Sequence, residues 1–152
     1  MKLAEALVLR ADLQKRLAQM RTRLTQSALV QEGEQPPENP VDLLAELEQL
    51  LVQLGDLIKA INKTNLQAQL PDGITLTDAL AQRDILSLRH SIVNDLAETA
   101  GNRIERYGRS EIRKLATVNV STLRRQLDEI ARQRRELDTS IQAANWSTDL
   151  LT

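Results

Sequence analysis

The stretch QEGEQPPENPVDLLAELEQLLVQLGDLIKAI, residues 31–61, sets a helix breaker against the start of a long apolar helix, and the fold follows from that junction. Gly33 and the prolines at 36, 37 and 40 cannot continue a helix arriving from the N-terminal side, so residues 31–40 read as a linker. Asn39 offers a cap for free backbone N–H groups, and Pro40 supplies a helix-ready φ at the first helical position. Beyond it Leu44, Leu47, Leu51, Leu54, Ile58 and Ile61 recur at alternating three and four spacing, and a second row, Leu43, Leu50 and Leu57, widens the stripe. So broad a stripe predicts contact with more than one neighbour, and Gly55 within it marks a candidate close approach of another helix.

Upstream, Leu3, Ala6, Leu13, Leu17, Met20, Leu24 and Ala28 line one face of a first long helix, with Arg10 where the seam expects an apolar residue. Downstream, Leu66, Ala68 and Leu70 alternate with glutamines, PDG supplies a turn and Ile74 to Leu76 return, which predicts a small β-hairpin over 66–76. Thr75 with Asp78 is a capping-box-like start for a third helix through Ile85, Leu88, Ile92, Leu96, Ala100 and Ile104, with Gly108 as its natural end. The β-branched residues of IRKLATVNV, 112–120, offer a third strand. From Ser121 a fourth helix carries the seam Leu123, Leu127, Ile130, Arg134, Leu137, Ile141 and Ala144. The predicted fold is mainly α: one domain over residues 1–152, an antiparallel four-helix bundle with two long helices and a two- or three-stranded β appendage.

Composition supports helix-on-helix packing, since the chain has 27 Leu, no Phe, one Trp and one Tyr among 152 residues. The 20 basic and 21 acidic groups nearly cancel, so no net field draws the molecule to nucleic acid or an anionic membrane. Charge segregates locally. Residues 1–30 hold six basic and two acidic groups, 31–62 one basic and seven acidic, and 103–152 ten basic and seven acidic, as if an acidic segment lay between basic neighbours. The lack of cysteine excludes disulfides and thiolate chemistry. No signal-peptide pattern and no long apolar run is present, so a cytoplasmic protein is expected and membrane insertion is not.

Enzyme motifs are missing. A single histidine, His90, excludes histidine-pair metal sites, and GxSxG, GxGxxG and the P-loop do not occur, so no cofactor and no metal is expected. Arg10 and Arg134, each on a leucine seam, must find an acid or reach water; pairing with Glu46, Glu48 or Asp56, or with a symmetry mate, would set register. The fourth helix carries Arg124, Arg125, Arg132, Arg134 and Arg135, yet Asp128, Glu129, Glu136 and Asp138 interleave with them and stacking aromatics are absent, which argues against nucleic acid. One donor-rich set remains: Asn62 and Asn65 of INKTN, Arg83 and Asp84, and Arg106, Tyr107 and Arg109 of RIERYGRSEIRK, residues 103–114. Guanidinium groups suit bidentate binding of a phosphate or carboxylate.

VQEGEQPPENP, INKTN, ALAQRD, RYGRSEI, TVNV and LDTSIQAANW, spread in order over nearly the whole chain, resemble the small bacterial proteins often called septicolysin, otherwise treated as a domain of unknown function. The resemblance implies a cytolysin. Thiol-activated pore formation needs a cysteine and lipid-facing apolar segments, which the sequence does not supply. The first expectation is therefore a homo-oligomeric protein-interaction module, self-associating through the first and fourth helices, with the hairpin and residues 103–114 as a polar surface for a partner protein. A small-anion binding protein or enzyme using the Arg/Asp/Tyr set stands second, and the toxin third.

Overall fold

The computed structural model describes residues 1–102 and 114–152. Four helices account for most of them: α1 Leu3–Gln26, α2 Pro40–Gln67, α3 Leu76–Gly101 and α4 Val120–Ser147. They fall into two compact units, residues 1–69 with 143–152, and residues 70–142.

In the first unit α1 and α2 pack against each other around buried Leu13, Met20, Leu43 and Leu50, with Leu17, Leu24, Leu47, Leu54 and Leu57 closing over them. The pair is antiparallel, because Arg23 near the end of α1 reaches Glu38, just ahead of α2, and Glu46 in its second turn. The linker breaks the chain as expected: Gly33 takes φ +88°, and the Asn39 side chain accepts the Val41 N–H at 3.0 Å ahead of Pro40. The two leucine rows on α2 share the interior: Leu43 and Leu50 of the narrower row and Ile61 of the wider one are buried, Leu47, Leu54 and Leu57 are half-buried, and Leu44, Leu51 and Ile58 face outward.

Residues 148–152 close this unit. Lys2 and Asp149 form an antiparallel bridge, with Leu3 N donating to Thr148 O and Leu150 N to Met1 O, each at 2.9 Å. The fully buried Thr64 hydroxyl accepts the Leu151 N–H at 2.9 Å and donates to Ala60 O at 2.8 Å. Lys63 Nζ donates to Thr152 O at 2.7 Å.

In the second unit α3 and α4 also run antiparallel: Arg83 pairs with Asp138, while Gly101 lies beside Val120 and Arg124. Thr75 caps α3 by accepting the Asp78 N–H at 3.1 Å, and Asn119 rather than Ser121 caps α4 by accepting the Thr122 N–H at 3.1 Å.

The β appendage is not formed: among the described residues there is no strand, only single bridged residues. Helix α2 runs on through Leu66 and Gln67, which the alternation had assigned to a strand. Extending a helix adds one hydrogen bond per residue ordered, whereas an isolated two-stranded hairpin is marginal in water. The turn itself is present. Gly73 at φ +86° donates to Leu70 O, Leu70 N donates to Ile74 O, and Asp72 accepts the Ile74 N–H. Residues 114–119 form no strand either, and α3 ends at Gly101; the expected stop at Gly108, and residues 103–113 generally, lie outside the described residues.

Candidate functional site

The donor-rich set divides between the units. Asn62 is exposed and Asn65 half-buried near the end of α2 in the first unit; half-buried Arg83 and exposed Asp84 sit on α3 in the second. Arg83 is engaged by carboxylates, with Nη1 3.3 Å from Asp138 Oδ1 and Nε 3.9 Å from Asp84 Oδ1. Arg106, Tyr107 and Arg109 lie outside the described residues. Among the described residues no group of His, Cys, Asp or Glu is arranged to hold a metal ion, and lone His90 is half-buried on α3.

The two seam arginines reach solvent. Arg134 is exposed while Leu127, Ile130, Ile141 and Ala144 on the same seam are buried. Arg10 is half-exposed and makes no hydrogen bond or ion pair with the described residues. Of its expected partners, Glu46 is held by Arg23 and Asp56 by Lys59.

A forked ion pair links α1 to the segment before α2, and periodicity does not single it out. Arg23 makes a forked contact to Glu38, Nη2–Oε1 2.6 Å and Nε–Oε2 2.9 Å, and reaches Glu46 at 3.4 Å. These hydrogen bonds raise the Arg23 pKa above its ordinary value, and the same contact holds Glu38 below the usual glutamate range. The only signal in the sequence is the charge contrast between residues 1–30 and 31–62. On α4, Arg132 bridges Glu129 at 2.6 Å and Glu136 at 2.9 Å, lowering the Glu129 pKa through the Arg132 hydrogen bond; this is the salt-bridged face that interleaved charges predict. Lys2 likewise lowers the Asp149 pKa, chiefly through their hydrogen bond.

Among the described residues, one apolar face without a partner is the outer face of α3. Ile85, Leu88, Ile92 and Leu96, three and four residues apart, should form its core stripe, yet they are 56, 56, 60 and 44 % exposed. The face turned inward carries Ala79 and Ala97, both fully buried, with Arg83, Leu86, His90 and Val93 half-buried. The Arg83–Asp138 pair directs that side toward α4. The larger aliphatic side chains are left in water. Beside them, two grooves between α3 and α4, of about 730 and 630 Å³, share Arg89 and Gln133 on their walls. Ile85 and Leu137 line one, Val93 and Ile130 the other, so apolar surface continues from the stripe into the groove floors.

The model of a family of unknown function, DUF6847, matches residues 10–150. The chain belongs to that family. A crystal structure of a functionally unknown conserved protein from Corynebacterium diphtheriae is similar to this DUF6847 chain, at 42 % identity and a TM-score of 0.93 over 99 % of each chain. No curated protein matches it. These findings correct the resemblance read from the sequence: the matching family is DUF6847, and neither its description nor that of the Corynebacterium protein carries the septicolysin name. No helix among the described residues of this DUF6847 member is long and apolar enough to cross a membrane.

Proposed function

We propose that this protein is a self-associating helical interaction module whose contact surface is the outer face of α3. The observation that carries the reading is the inverted burial of that helix, with alanines inside and Ile85, Leu88, Ile92 and Leu96 outside. Exposed aliphatic side chains arranged as one continuous stripe mark an interaction surface, whereas scattered ones need no explanation.

The surface differs from the one the sequence pointed to, because α4 buries its apolar seam and α1 leaves only Val8 and Leu9 exposed among its large aliphatics. The single-domain, antiparallel four-helix arrangement and a cytoplasmic location belong to the same reading. The helical arrangement is supported by two antiparallel helix pairs, α1 with α2 and α3 with α4.

Light scattering coupled to size exclusion tests the proposal. The protein should elute as an oligomer at tens of micromolar, and Ile92→Glu, which places a charge on an already exposed position, should give a folded monomer with unchanged helical circular dichroism. A monomeric parent protein would overturn the reading.

A further inference from the structure

The α3 stripe also has a register, and the charges beside it select an orientation. Placing Ile85 at heptad position a puts Leu88 at d and Ile92 at the next a, with Ala81 at the preceding d. Isoleucine at a with leucine at d is the combination that favours two parallel strands. In this register Asp84 occupies g and Arg89 occupies e. A parallel two-stranded pairing brings each g residue beside the e residue five positions further on in the partner, and 84 and 89 are five apart.

Both groups are available. Asp84 has only the 3.9 Å approach to Arg83 and is largely exposed, while Arg89 makes no hydrogen bond or ion pair with the described residues. An antiparallel pairing would set g against g, and the g edge of α3 carries Asp84, Ser91 and Glu98. Carboxylates would then line both sides of one edge, with no cation opposite them.

We infer that α3 pairs with α3 of a second copy in parallel and in register, with Ile85, Leu88 and Ile92 meeting their own counterparts and Asp84 of each copy bonding the partner's Arg89. The inference rests on the self-association proposed above and specifies its geometry. Two-fold symmetry makes the patch self-complementary and forms the charge pair twice. The seam is short: Asp95 takes the d position after Ile92, and Leu96 falls one place later. Contact is therefore confined to about two heptads, a size suited to a reversible dimer.

Two measurements test it in the full chain. Because the protein contains no cysteine, Leu88→Cys introduces a single thiol, which should form an intermolecular disulfide under mild oxidation if position 88 meets its own copy. Arg89→Glu alone and Asp84→Arg alone should each weaken dimerisation roughly three- to tenfold, and the two together should restore it. An oligomer in which Leu88→Cys stays unlinked, or in which the double exchange fails to recover affinity, overturns the parallel pairing while leaving self-association standing. A parent protein that is monomeric by light scattering overturns both.

Discussion

Gly55 shows how a single residue separates a local propensity from a tertiary demand. It sits in the middle of α2, where glycine costs helix stability, and the sequence suggests that another helix presses against it. Yet a Cβ built at this position meets nothing within 4 Å. Gly55→Ala should therefore stabilise the fold by roughly 0.5–1 kcal/mol in urea denaturation, with helical content unchanged. If the substitution also leaves the oligomer mass intact, no partner helix seats on Gly55 in the assembly. A loss of oligomer would instead assign the outward row Leu44, Leu51 and Ile58 to a second contact.

At the scale of elements, the sequence discloses where helices begin better than which way they face. The Asn39–Pro40 and Thr75–Asp78 starts are visible because capping is local chemistry, written within four residues. Facing is a competition. On α2 two leucine rows were available and α1 seated on Leu43 and Leu50; on α3 the alanines won the interior over a perfectly spaced aliphatic stripe, and nothing local predicts that. The apolar spacing nevertheless located the candidate surface, although it read that surface as core. Ion pairs between helices were legible only as charge blocks, and Arg23–Glu38–Glu46 is the contact those blocks produce. Its pH dependence has a definite sign. Glu38 has a lowered pKa in the folded state, so its contribution is complete above the ordinary glutamate range and is lost as pH falls through the depressed value. Arg23→Met should thus be less stable than the parent at neutral pH, and the gap should narrow below the ordinary glutamate range. Urea titrations at a series of pH values measure it, and a gap independent of pH would mean that the stem of Arg23, rather than its charge, holds α1 to the linker.

For the whole molecule the question is whether the two compact units unfold as one. Helix α4 is continuous from Val120 to Ser147, with its first part in the second unit and its last turn in the first, where Ala144 and Asn145 are buried. Breaking α4 at residue 142 would cost hydrogen bonds across a full turn, so loss of either unit should fray the helix that continues into the other. Leu50→Ala, deep in the α1/α2 core, should cost about 2–5 kcal/mol. If the chain is one cooperative domain, that cost should appear equally in the hydrogen exchange of slow amides around Leu50 and around Leu127 in the second unit. If only the amides near Leu50 lose protection, the units are independent folding bodies. The dimer surface on α3 would then reside in a unit whose stability owes nothing to the α1/α2 core, and an isolated segment spanning residues 70–142 should still self-associate.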